Sequence, residues 1–294
     1  MQKTENKILR GLVFDDEVSL AVLDTTKLVN DAIKIHNLSP LAAAALGRTL
    51  IVATYMCSSL KTQSSALSVN IRGDGAGGPI CVSGDKDLHM RGYISDPSVT
   101  LAPNAAGKLD VGGCVGKNGY ISVVKDDGEG VPFVGTTELV SGEIGEDFAA
   151  YFAYSEQIPT AIAVGVKIGK DGSCLGAGGV FLQPLPDASE ESMRRIEDIM
   201  ARFGSVSTLI EAGSAEEIAE KYFGNVKYYT LKPAYKCNCS RNYIEGVLLS
   251  MGEKQLVEAL KEEGKISVHC HYCNSDYEFS EGEIQSLIEN SRNT

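Results

Sequence analysis

Several things this sequence lacks narrow its function before any motif is read. No uncharged run is long enough for a bilayer: the apolar stretches Ile35 to Gly47 and Thr49 to Leu60 are split by Arg48, and both fall short of the roughly 18 residues a span requires. No transmembrane segment and no membrane partner are expected. Basic charge is scarce as well. The 27 Lys and Arg residues face 39 Asp and Glu, for a net charge of −12, which repels phosphate backbones and anionic lipid. Nucleic acid is therefore not an expected partner. Only 4 histidines serve the whole chain. His36, placed near the start of a long helix, and His89, placed in a loop, lie beside no serine or cysteine motif, so no hydrolase-type nucleophile and base present themselves. No catalytic residue is assigned and no enzyme is expected. The amino terminus carries Lys3, Lys7 and Arg10, then places Asp15, Asp16 and Glu17 where a secretory signal would continue apolar. A cytoplasmic location is the expectation.

What is present suffices for folded domains: 294 residues, 43% hydrophobic and 22% charged, exclude disorder as the general state. The fold class expected is α+β in three parts. Residues 1–180 form an amino-terminal domain of mixed sheet and helix. Ser39-Pro40 reads as an N-cap with Pro at the first helical position, followed by a buried helix ending near Lys61. Val18 to Leu23, ALSVNIRG, PICVSG, YISVVKDD and IAVGVKIG are strand-like, and the connections between them are too short for helical crossovers. Residues 181–230 form a helical linker. Asp187 or Ser189 can cap a helix carrying Met193, Ile196, Ile199, Met200 and Phe203 at helical spacing, and Ser214 with Glu217 makes a capping box for a second. Residues 231–294 form a small zinc-binding domain, whose seven basic and ten acidic side chains imply no phosphate-binding surface.

Gly73, Gly75 and Gly78 satisfy G-x-G-x-x-G after a strand. Pro79 and another strand come next, with no helix N-terminus to receive a pyrophosphate and no GK[ST] triplet. A hairpin turn accounts for the glycines better than a nucleotide site.

The cysteines carry the chemistry. In a cytosolic chain thiols are held reduced, so clustered cysteines point to metal ligation or redox chemistry rather than a disulfide framework. Cys57, Cys81, Cys114 and Cys174 are scattered among apolar or small neighbours, as core residues are. Cys237-Asn-Cys239 and Cys270-His-Tyr-Cys273 instead form two close pairs, and four soft thiolates in two tight turns are what tetrahedral Zn²⁺ requires. The expected cofactor is one Zn²⁺ per chain, ligated by Cys237, Cys239, Cys270 and Cys273. His269 and His271 flank Cys270 and compete as ligands, although four cysteines make the simpler site. A domain of roughly 60 residues has a marginal core, and structural zinc contributes roughly 10–16 kcal/mol in small peptides, so metal loss unfolds it.

The same tail, CNCSRNYIEGVLLSMGEKQLVEALKEEGKISVHCHYCNSDYEFSEGEI, resembles the redox domain of the 33 kDa chaperonin family, the redox-regulated heat-shock chaperones of bacterial cytoplasm. The resemblance extends upstream through RGLV, HNLSPLAAAALGRTL, the LK at 60–61, GDGAGGPI and RGY at 91–93. It implies an ATP-independent holdase, inactive while its four cysteines hold zinc. Oxidation would form disulfides within each pair, Cys237 with Cys239 and Cys270 with Cys273, release the metal, and unfold the redox domain and the neighbouring linker. Closing loops of three or four residues constrains an unfolded chain by roughly 1.5–2 kcal/mol each. Two such rings cannot replace more than about 10 kcal/mol of metal binding, so the oxidised domain melts. Oxidised members dimerise and hold unfolding clients on exposed apolar surface. That surface carries over to the linker helices, through residues such as Met193, Ile196, Ile199 and Phe203, uncovered when the zinc domain that shields them melts. Two rivals stand beside this expectation. One is a constitutive zinc ribbon whose metal is only structural; the other is a thiol–disulfide oxidoreductase using Cys270-x-x-Cys273, for which no following apolar helix is seen.

Overall fold

The computed structural model describes residues 3–292. The chain divides into two compact units, one ending at Lys236 and the other starting at Cys237.

Two sheets make the frame of the first unit. One has five antiparallel strands: β1 (Lys7–Val13), β2 (Val18–Asp24), β8 (Ala161–Ile168), β9 (Cys174–Pro184) and β10 (Tyr228–Leu231), in the order β10-β1-β2-β9-β8. The other has six: β3 (Ala66–Arg72), β4 (Ile80–Asp85), β5 (His89–Ile94), β6 (Tyr120–Asp126), β7 (Phe133–Glu138) and β11 (Ala234–Tyr235), in the order β11-β5-β4-β3-β6-β7. Hairpin connections and alternating burial, as in β5 and β3, result from one face being turned to the core. The glycine-rich segment joins β3 to β4 as a hairpin, with Ile71 opposite Ile80. Its glycines serve close backbone approach: a Cβ on Gly75 would lie 2.4 Å from the Cys114 carbonyl oxygen.

The helix α2 (Pro40–Cys57) runs through the main core, packed on strands of both sheets. Ser39 caps it, its hydroxyl accepting from the Ala42 amide at 3.1 Å. It is long and apolar enough to cross a membrane by composition, yet it is almost wholly enclosed by the protein, so its apolarity reflects burial on every side. It ends at Cys57, a turn short of the expected Lys61. The shorter helices α1 (Thr26–His36), α3 (Val111–Val115) and α4 (Gly145–Tyr154) complete this layer. His36 closes α1 rather than opening α2, and His89 begins β5 rather than lying in a loop.

Residues 181–230 do not stand apart as a linker. Their first residues finish β9, their last belong to β10, and between them α5 (Glu190–Arg202), α6 (Val206–Ala212) and α7 (Ala215–Phe223) pack on the five-stranded sheet. Ile196, Ile199, Val206, Ile210 and Ile218 are buried among Leu9, Val18, Leu20, Val22, Val180 and Leu182. Ser189 caps α5, accepting from the Ser192 amide at 3.2 Å, and Ser214 with Glu217 forms the capping box of α7. Phe203 stacks on Tyr222 at 4.2 Å, tying the end of α5 to α7. The segment from 228 to 236 then stitches both sheets: β10 pairs with β1, and β11 pairs in parallel with β5.

The second unit holds α8 (Arg241–Met251), α9 (Glu253–Glu263), the hairpin β12 (Lys265–Cys270) and β13 (Ser275–Ser280), and α10 (Glu281–Arg292). Ile244, Leu248, Leu256, Leu260, Phe279, Ile284 and Ile288 form its core. Seven side chains are a small core for a unit of this length, a size at which metals or disulfides commonly supplement burial.

Candidate metal centre

Local structure explains how the cysteines meet. The β12–β13 hairpin reverses through residues 271–274, and Asn274 takes a left-handed conformation (φ 54°) that closes the turn. The amides of Cys273 and Asn274 donate to the Cys270 carbonyl at 3.3 and 2.8 Å, so Cys270 and Cys273 flank one tight bend. Cys237 and Cys239 lie in the irregular stretch between β11 and Ser240, whose hydroxyl caps α8 by accepting from the Tyr243 amide at 3.2 Å. The cap fixes where the helix starts and thereby where Cys239 sits.

All four Sγ atoms fall within 4.8 Å of one another. Cys237 lies 3.3 Å from Cys239 and 3.8 Å from Cys270, and Cys239 lies 3.1 Å from Cys273. A sulfur tetrahedron around zinc at about 2.3 Å has edges of about 3.8 Å, and the four thiols, with pairs at 3.1 to 3.8 Å and all within 4.8 Å, are close enough together to supply that donor set. The cluster has no imidazole in it. His269 instead pairs with Asp276 across the hairpin, Nδ1 to Oδ1 at 2.7 Å, and its ring meets that of His271 at 4.9 Å.

The thiols are not equivalent. Burial pushes Cys237 well above the ordinary thiol range. Burial also lifts Cys273, to about 11, against a hydrogen bond with Ser275. At Cys239 burial is outweighed by hydrogen bonds from Tyr277 and from the neighbouring thiols, which bring it down to about 7. The Tyr277 hydroxyl lies 3.2 Å from Cys239 Sγ. Nothing in the sequence pointed to this tyrosine, because its place is set by strand register, Tyr277 opposite Val268. The scattered cysteines are a contrast: burial raises Cys57, Cys114 (to about 11) and Cys174 (to about 12), which keeps them protonated in the core.

Of the apolar linker residues singled out from the sequence, Ile196 and Ile199 are buried in the sheet-facing cluster, Phe203 is half-buried against it, and Met193 is exposed. Ile196, Ile199 and Phe203 pack on the five-stranded sheet of their own unit. The C-x-x-C pair occupies a β-turn followed by a strand, unlike the helix N-terminus that activates thioredoxin-type cysteines.

Fold and site together define a class: an α+β protein with a small carboxyl-terminal unit built around a four-thiol centre able to hold a metal ion. The family model described as Hsp33 protein matches residues 6–280. Relatives named 33 kDa chaperonin in Bacillus cereus (strain B4264) and Bacillus anthracis (strain CDC 684 / NRRL 3495) are each 42% identical over 96% of this chain and 98% of their own. The crystal structure of a 33 kDa chaperonin, a heat shock protein 33 homologue from Thermotoga maritima, superposes with a TM-score of 0.89 at 35% identity, covering 99% of this chain and 100% of that one. The chain belongs to the Hsp33 family.

Proposed function

We propose that this protein is a redox-regulated, ATP-independent holdase that keeps unfolding client proteins from aggregating in the cytoplasm under oxidative and heat stress. The observation that carries the reading is the cluster of four thiols, within 4.8 Å of one another, in a unit whose core, among the described residues, has seven buried apolar side chains. Family membership supports the chaperone class.

In the resting state Cys237, Cys239, Cys270 and Cys273 would hold one Zn²⁺. Bound zinc would keep the four sulfurs as thiolates and cross-link the hairpin turn to the stretch ahead of α8. A peroxide then oxidises the thiolates pairwise: for each disulfide, two thiolates, one hydrogen peroxide molecule and two protons from solvent yield one sulfur–sulfur bond and two waters. Cys237 pairs with Cys239 and Cys270 with Cys273, and the chain no longer offers a tetrahedral donor set. The small rings stabilise the unit by roughly 3–4 kcal/mol at most, against roughly 10–16 for the metal, so it unfolds. The apolar side of α5, with Ile196, Ile199 and Phe203, becomes a client surface when the helices leave the sheet, and oxidised chains dimerise. The net charge of −12 favours keeping such complexes in solution.

The test is a peroxide titration in which metal release and suppression of client aggregation are followed together. Suppression that rises as zinc leaves is the expected result. Equal suppression by the reduced and oxidised chains eliminates the switch, and a unit that stays folded after peroxide and mild heat makes the metal purely structural.

A further inference from the structure

The reading of the four cysteines as an oxidation-sensitive zinc centre leaves one neighbouring polar group without a role. Tyr277 lies on β13, two residues before the buried Phe279, and so shares its inward face. Phe279 is fixed in the core of the second unit, with the Arg241 guanidinium 4.3 Å above its ring. The Tyr277 ring is half-buried against that core, and its hydroxyl reaches Cys239 Sγ at 3.2 Å. The tyrosine thus spans from one arm of the site, the hairpin carrying Cys270 and Cys273, to a sulfur of the other.

Resting on that reading, we propose that Tyr277 is a positioning residue of the metal centre: its phenol donates a hydrogen bond to the Cys239 sulfur, which strengthens metal retention and slows oxidation. The physical basis is charge. A donor aimed at a thiolate withdraws electron density from it, and an electron-poor sulfur attacks peroxide more slowly. Outer-shell hydrogen bonds also orient the ligand they touch, and losing one typically costs about 10–100-fold in metal affinity. Among the described residues a second hydroxyl, Ser275 Oγ, lies 3.4 Å from Cys273 Sγ, a longer contact from the first residue of β13 on the same arm. Tyr277 differs in linking the two arms, so its removal loosens the centre as well as exposing one sulfur.

The experiment uses the full chain in three forms: unchanged, Tyr277→Phe and Ser275→Ala. Zinc affinity is measured by chelator competition, zinc release by the rate after hydrogen peroxide addition, and sulfur electronics by the charge-transfer band of the Co²⁺-substituted site. Tyr277→Phe is expected to keep one metal per chain, bind zinc about 10-fold more weakly, release it several-fold faster, and move the cobalt band to lower energy. Ser275→Ala should change each readout less. An unchanged release rate together with an unmoved cobalt band overturns the proposal. If Tyr277→Phe does not fold, site-specific fluorotyrosine at 277 supplies a stronger donor, and the expected shifts reverse: slower release and a higher-energy band. Failure to reverse overturns the proposal equally. Should the unchanged chain keep its zinc through peroxide, the switch reading falls, while the cobalt band still decides whether the tyrosine acts on the sulfur.

Discussion

Peroxide treatment of the zinc-loaded chain should remove helix in two steps of calculable size. The helices of the second unit, α8, α9 and α10, have 11, 11 and 12 residues, about a third of all helical residues described. Replacing roughly 10–16 kcal/mol of metal binding by at most roughly 3–4 from two small rings leaves that unit without a stable fold. The first step is therefore a loss of about a third of the helical signal in far-ultraviolet circular dichroism, in parallel with zinc release. The helices α5, α6 and α7 add 13, 7 and 9 residues. They are held on the sheet chiefly by Ile196, Ile199, Val206, Ile210 and Ile218, whose burial at about 2 kcal/mol each sums to an upper bound near 10 kcal/mol, before the cost of ordering the segment. That hold is marginal. Mild heating should release these helices and bring the total loss to somewhat more than half, and suppression of client aggregation should track this second step. Cys270→Ser should lower the metal content and reach the first-step spectrum without oxidant. Zinc release with no loss of helix would refute the energetic argument, and full metal stoichiometry in Cys270→Ser would refute the ligand assignment.

Two further outcomes concern the attachment of α5. The Glu17 carboxylate accepts from the Ser189 hydroxyl and amide at 2.6 and 2.9 Å, and the Ser189 and Ser192 hydroxyls hold it at about 2, down from an ordinary value of 4.5. A depressed acid stabilises the fold above its unfolded value, so this tie is complete above about pH 4.5 and is lost as pH falls through about 2. Apolar-dye binding should rise across that window in the unchanged chain and less so in Glu17→Gln, where the tie is already weak at neutral pH; matching profiles would remove Glu17 from the hold on α5. Ile196→Ala with Ile199→Ala should weaken sheet packing by about 2–5 kcal/mol per site and give aggregation suppression at lower peroxide. If dye binding reports α5 released while clients still aggregate, the client surface lies on another face.

Much of the candidate site was legible because closely spaced cysteines are a local pattern. The four thiols sit at short intervals within each pair, and only the joining of the pairs is long-range. Capping was equally readable: Ser39, Ser189 and the Ser214–Glu217 box occupy helix starts because a side-chain oxygen meets an amide two or three residues on. Less was visible where partners are distant. α1 was not anticipated; its ends are anchored by long-range contacts, the Leu28 amide donating to Asn6 at 2.8 Å and His36 meeting Tyr235 at 2.9 Å. β10 and β11 are too short to show a period, and they exist because β1 and β5 offer unpaired edges. The linker was read as a separate part because its amphipathic pattern reveals that one face is covered without saying by what.

By itself the sequence determined the α+β class and singled out the four clustered cysteines, since propensity, capping and short cysteine spacings act over a few residues, and its motifs carried the resemblance to the family. Tertiary structure alone decided that the sheet of the first unit covers the apolar side of α5, that Tyr277 stands over Cys239, and that a chain segment just ahead of Cys237 is paired into both sheets. Each of these depends on which distant strands become neighbours, and strand neighbours are chosen by the packing of the whole domain rather than by any local run of residues.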